Sequence, residues 1–153
     1  MKYIFAKYSF NFSLVIFLMV SSADAEIESK DTLLNALANV NADILFLRHA
    51  LAPGFGDPDN FDLMDCDTQR NLDTKGRSKA SKIGEELRLQ NIKFTEILSS
   101  QWCRCKETAN LLDLGEWKEF AGLNSFFQNY ANKDETMALL NHKLKFLGTG
   151  LTL

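Results

Sequence analysis

Apolar and polar positions divide the chain into short units that alternate between strand-like and helix-like spacing. Ile44-Leu45-Phe46-Leu47 is an apolar run too short for a helix; it leads into Arg48-His49 and the breaker Pro53-Gly54. Such a run predicts a buried strand that delivers two polar side chains to a loop at its C-terminal end. Upstream, Asp31 can cap a short helix whose Leu33, Leu34, Leu37 and Ala38 share a face. Residues 50–71 crowd turn formers together (Pro53, Gly54, Gly56, Asp57, Pro58, Asp59, Asn60), and a loop of that length in a compact domain is usually functional. Asp73 or Thr74 then opens a helix with Ala80, Ile83 and Leu87 inward. Ile97-Leu98 forms a second strand core ending at Ser99-Ser100-Gln101, followed by a helix from about Cys105 to Leu112 with Ala109 and Leu112 inward. The aromatic stretch from Gly115 to Tyr130 fits a packed flap or core edge. Asp134 caps a last helix carrying Met137, Leu140 and Leu144. Gly148-Thr149-Gly150 breaks that helix, and Leu151-Thr152-Leu153 has the character of a strand's first residues.

Strand, loop with arginine, helix, twice over, predicts an α/β domain in which two parallel βα units bring the loops after Leu47 and Leu98 to one sheet edge. That edge is where α/β sheets place ligand chemistry.

The first 25 residues have a different character. Lys2 and Lys7 precede an uninterrupted apolar run from Leu14 to Val20, and Ser21-Ser22-Ala23-Asp24-Ala25 ends in a small-x-small pattern. This is the layout of a secretory signal peptide cleaved after Ala25, since the apolar core is far short of the ~20 residues that span a bilayer. The domain would then run from residue 26 to residue 153, in a periplasmic or secreted setting with no stable membrane insertion after cleavage. The whole chain of 153 residues has a formal charge of −3. That balance lacks the basic footprint nucleic acid requires, and nothing basic is interleaved with the aromatic stretch.

In an oxidising compartment Cys66, Cys103 and Cys105 make one bridge and one leftover thiol, and Cys66 can pair with Cys103 or Cys105. If the two loops converge, Arg48, His49 and Arg104 meet. Two guanidiniums with no carboxylate between them call for a dianion, and phosphate is the usual one. A histidine beside bound phosphate, with no serine or cysteine nucleophile motif and no metal cluster in the sequence, reads as the group that attacks phosphorus.

Three segments carry a resemblance. Leu47-Arg48-His49-Ala50 is similar to the Arg-His signature of the histidine phosphatase superfamily, the phosphoglycerate-mutase-like group. Gln69-Arg70-Asn71-Leu72 through Gly76-Arg77, Ala80 and Ile83-Gly84 resembles the family's helix start, with Lys79 where glutamine is common. Ser99-Ser100-Gln101-Trp102-Cys103-Arg104 through Thr108-Ala109 is similar to its Ser-Ser-x-x-x-Arg-x-x-x-Thr-Ala segment. The resemblance, closest to the small phosphatases of branch 1, implies a three-layer sandwich with a mostly parallel sheet whose last strands are missing here. It implies His49 as nucleophile, Arg48 and Arg104 as phosphate ligands with Arg70 as a further member, a small phosphorylated substrate, and no cofactor or metal. The family's general acid has no counterpart at Leu123-Asn124-Ser125, which leaves Glu119 and Asp57 as candidates, and its second pocket histidine has none either, His142 falling inside the last predicted helix. The chain therefore reads as an interrupted family member. Three functions compete: a phosphomonoesterase acting through phospho-His49, inactive or weak as it stands; a non-catalytic anion-binding remnant of the same fold; and a metal or thiol-redox protein using Cys103, Cys105 and His49.

Overall fold

The structure, a computed structural model, describes residues 33–153. The signal segment and the Asp31 cap lie outside the described residues, which begin in a helix over 33–39 (α1).

Asp73 caps α2, Thr74–Leu89, by accepting from the Gly76 amide at 2.6 Å. Its buried positions are Gly76, Ala80, Gly84 and Leu87. Ile83, expected inward, is 37% exposed. The reason lies in how α2 meets α3, Cys103–Leu112: the two backbones approach at Gly84, beside the Leu112 carbonyl. A helix that packs through its glycines turns that narrow stripe inward and leaves Ile83 at the rim. Across the same contact Arg77 pairs with Glu107 at 2.6 Å, and Arg88 donates to the carbonyls of Leu112 and Asp113, which the end of α3 leaves unpaired.

The fold is α/β with parallel pairing throughout its core ladder. Two-residue strands β1, Leu98–Ser99, and β2, Lys118–Glu119, pair in parallel. Single parallel bridges tie Thr152 to Ile44 on one side and to Glu96 on the other. Thr152 exchanges main-chain bonds with Asp43 and Leu45, and Leu153 with Glu96 and Leu98, so residues 151–153 run between the starts of the two expected strands. The strand character of that segment is borne out, and Thr152 is buried at its centre.

The strand expected over Ile44–Leu47 is held at its start alone. Residues 46–49 have no main-chain partner among the described residues, and Phe46 and Leu47 are exposed instead of buried. No described strand runs beside residues 46–49.

The long 50–71 loop is ordered by its own polar groups. A 3-10 turn at Cys66–Thr68 follows a one-residue bridge between Asp62 and Asp65. Buried Gln69 donates to the carbonyls of Asp62 and Leu63 and accepts from the Cys103 amide at 2.9 Å, so one side chain joins the loop to the start of α3. The disulfide Cys66–Cys103 makes the same connection covalently. α4, Lys133–Lys145, is capped by Asn132, whose side chain accepts from the amides of Asp134 and Glu135; Asp134, expected as the cap, is one residue inside the helix. α4 packs on the 3-10 turn Ala121–Leu123.

Candidate active site

One cavity of about 570 Å³ opens where the loops after Leu47 and Ser99 come together. Arg48, His49, Asp57, Arg70 and Arg104 all line it. The charges of Arg104, Arg48 and Arg70 all act on the His49 imidazole. Residues separated by 55 positions in sequence thus share one site.

His49 is oriented by its own main chain. Its Nδ1 lies 2.7 Å from the Ala50 carbonyl, and a carbonyl only accepts, so Nδ1 carries the proton and Nε2 the lone pair. Ala50 is in turn held from α3: its amide donates to the Thr108 hydroxyl at 3.1 Å, and that hydroxyl donates to the Arg104 carbonyl at 2.7 Å. Partial burial pushes the imidazole below its ordinary value, and the three arginine charges push the same way against the Ala50 hydrogen bond. A depressed pKa keeps the ring neutral, the state in which a histidine attacks.

Arg104 is buried and held end-on by Asp57, with Nη1–Oδ1 at 2.7 Å and Nη2–Oδ2 at 3.3 Å; Nη1 also reaches the Arg70 carbonyl at 3.3 Å. Of the five N–H donors of a guanidinium, this leaves Nε and the outer hydrogen of Nη2. Nε is buried with no partner among the described residues. Those two donors form the side-on fork of an arginine, which matches two oxygens of one phosphate. A buried donor left unpaired costs about 1–3 kcal/mol, so a ligand that accepts from this edge is favoured.

Arg48 is exposed on the cavity wall, with no hydrogen bond or ion pair among the described residues. Arg70 is spent differently. Its Nε donates to the Gly56 carbonyl at 2.8 Å and its Nη1 to the Ala52 carbonyl, bracing the loop. It contributes charge to the site while its fork is largely committed.

The two carboxylates considered as proton donors are both poorly placed for that task. Burial pushes the Asp57 carboxyl up, but Arg104, the Arg70 amide at 2.9 Å and the Trp102 indole at 3.0 Å outweigh it, and the net shift is below the usual carboxylate range. An ionised acceptor of four hydrogen bonds is an anchor for Arg104, not an acid. Glu119 does not line the cavity; it pairs with Lys106 at 3.2 Å on the surface. His142 is exposed against Phe146, also away from the cavity lining.

The cysteines are settled by the same geometry. Cys103 is in the disulfide with Cys66, which removes it from the metal or thiol-redox reading. Burial holds the Cys105 thiol above its ordinary value, and Arg104 only partly offsets this, so the thiol stays protonated and a poor nucleophile. No cluster of three or more metal-ligating side chains exists among the described residues. Nor is any described helix long and apolar enough to cross a membrane.

Sequence reasoning missed Asp57 as an anchor, along with Gln69, Trp102 and Asn124. Asn124 accepts from the Ser100 hydroxyl and the Gln101 amide, each at 3.0 Å, and so fixes the turn before Arg104. A polar residue at that position carries no periodic signal, and its contact with the Ser100-Gln101 turn joins positions 24 apart in sequence.

Among solved structures, that of the putative phosphohistidine phosphatase SixA from Agrobacterium tumefaciens is similar to this chain, with 20% identity and a TM-score of 0.48. The match covers 71% of this chain and 66% of that one, so the chain spans just under two thirds of that protein's length. No family model matches the chain, and no curated protein does.

Proposed function

We propose that this protein is a phosphomonoesterase of the histidine phosphatase type, acting through a phosphohistidine at His49. The observation that carries the reading is that Arg104, whose Nε has no hydrogen-bond partner among the described residues, lines the same cavity as His49, whose Nδ1 is held by the Ala50 carbonyl. In the first step Nε2 forms a bond to phosphorus while the bond from phosphorus to the ester oxygen breaks. Arg104 and Arg48 hold the equatorial oxygens, on which charge gathers. In the second step water attacks phosphorus, the N–P bond breaks, inorganic phosphate leaves and the imidazole is restored. The sequence resemblance over about residues 43–112 supports the same assignment of His49, Arg48 and Arg104.

A second reading has its own support. The leaving alkoxide needs a proton, yet Asp57 is held ionised and Glu119 lies off the cavity. That favours an anion-binding site with slow or no turnover. Phosphate release from p-nitrophenyl phosphate, whose leaving group needs little help from an acid, separates the two. The esterase reading expects turnover that falls to background in His49→Ala and by about a hundredfold or more in Arg104→Ala. Turnover that persists in His49→Ala overturns it, whereas phosphate binding without any turnover leaves the anion-binding reading.

A further inference from the structure

The cavity lining also carries two exposed aromatic rings that the reaction does not use. Phe55 is 83% exposed and Phe127 48%, yet their rings meet edge to face with centroids 5.3 Å apart and planes at 84°. Both line the same cavity as His49 and Arg104. Burial does not hold them there, because rings this exposed gain little from it.

Two loops are clamped together to hold the pair. The Tyr130 hydroxyl accepts from the Asp57 amide at 3.2 Å and donates to the Asp57 carbonyl at 2.8 Å, and its ring packs on Phe61 at 4.7 Å. Gly54 and Gly56 on either side of Phe55 have φ of +94° and +70°. Gln128, next to Phe127, takes φ +52°, a conformation that costs a non-glycine residue free energy, and its side chain closes over Gly56, where a Cβ would come within 2.7 Å of Oε1. Asp57, two residues from Phe55, is also the anchor of Arg104. The aromatic corner and the phosphate fork are therefore set at a fixed separation by one short piece of chain.

We propose that the Phe55–Phe127 corner is the subsite for the group that carries the phosphate, and that this group is a planar ring. The inference rests on the phosphate-site reading above and deepens it. The corner between two rings at 84° presents two ring faces at right angles, which a flat ring fills by stacking on one and turning its edge to the other. A polyol phosphate would have to desolvate hydroxyls against two hydrocarbon surfaces with nothing to pair them. The cavity volume of about 570 Å³ leaves room for a ring beyond the phosphate.

Calorimetric titration with phenylphosphonate and methylphosphonate, at a pH where both are dianions, tests this on the whole protein. The expected result is tighter binding of the phenyl compound by about tenfold. That ratio falls toward one in the Phe55→Ala/Phe127→Ala double variant, survives in Phe55→Tyr, and changes with no loss of methylphosphonate affinity. A ratio near one in the unaltered protein, or a ratio that persists in the double variant, overturns the subsite while the phosphate site stands. Failure of both phosphonates to bind removes the phosphate site, and the subsite with it. A peptide bearing phosphonomethyl-phenylalanine identifies the source of the ring: binding at least as tight as phenylphosphonate assigns it to a polypeptide, and exclusion assigns it to a small molecule.

Discussion

Asp57 and Arg104 meet end-on, Oδ1 to Nη1 at 2.7 Å and Oδ2 to Nη2 at 3.3 Å, with both side chains buried. The pair occupies the end of the guanidinium, leaves Nε without a partner among the described residues, and links the long loop to α3. Breaking a buried pair by removing one charge costs about 3–5 kcal/mol, because the partner is left uncompensated. Asp57→Asn is therefore expected to lower stability by an amount of that order and to weaken phosphate binding, as read by urea denaturation and phosphate titration. The pH dependence has a definite sign. The folded carboxyl titrates below its ordinary 3.8, so its contribution is complete above that value and is lost as pH falls through the lower folded value. The stability gap between the unaltered protein and Asp57→Asn should shrink below about pH 4; a gap that widened there would contradict the assignment.

His49 sets the pH dependence of the proposed transfer. Burial and three neighbouring guanidiniums favour the neutral ring, so its folded pKa lies below 6.5. The attacking form is neutral; the rate therefore rises as pH climbs through that lowered value and levels off by neutrality. The acidic limb of kcat/KM, which reports the free enzyme, should have its midpoint below 6.5. Arg48→Ala removes one of the charges while leaving the Asp57–Arg104 anchor in place, and should move that midpoint upward toward the ordinary value. A midpoint unmoved or lowered in Arg48→Ala would show that the arginines do not tune the ring.

Much of this arrangement is legible in the sequence because it follows from short local rules. Asp73 at the start of α2, the loop-forming composition of 50–71 and the parallel placement of two βα units all come from cap, turn and topology preferences. The convergence of His49 and Arg104 follows from that topology. What was not legible depends on partners distant in sequence. Ile83 faces outward because of a glycine contact made with another helix. Residues 46–49 read as the end of a strand from their own apolar run, but a strand needs a neighbour, and none is described beside them. Asp57 reads as a turn residue or a proton donor until Arg104, Arg70 and Trp102 are seen around it. Charge pairing across 47 positions leaves no trace in either one's neighbours.

The Cys66–Cys103 disulfide closes a loop of 37 residues and attaches the loop directly to the first turn of α3, one residue before Arg104. Loop-closure entropy for that length corresponds to about 4 kcal/mol. Removing it through Cys66→Ser/Cys103→Ser should lower stability by up to that amount. Gln69 continues to bridge the same two segments, so the site should weaken without being abolished. Denaturation with and without reductant checks the first expectation: a reductant-sensitive midpoint in the unaltered protein and an insensitive one in the double variant. An insensitive midpoint in both would mean that the bridge contributes nothing.

Gly76 and Gly84 separate the stability of the scaffold from the shape of the site. In an exposed helix interior glycine to alanine stabilises by up to about 1 kcal/mol. Here the sign reverses, since a Cβ at Gly84 would run into the Leu112 carbonyl and one at Gly76 into the Leu51 carbonyl, and backbone atoms have little room to yield. Overpacking of this kind typically costs about 1–3 kcal/mol, and both variants should lose stability on that scale. Their effects on ligand binding should differ. Leu51 accepts from the Asp73 amide at 3.3 Å and lies two residues after His49, so Gly76→Ala displaces the loop that orients the imidazole. Gly84 acts at the far end of α3 from Arg104. Phosphate titration on variants still folded at 15 °C should show weakened binding in Gly76→Ala and near-native binding in Gly84→Ala. Exposed Ser81→Ala, on the same helix, serves as the control that gains or holds stability. Equal loss of binding in both glycine variants would mean that α2 and α3 move as one body and that Leu51 has no separate part in holding His49.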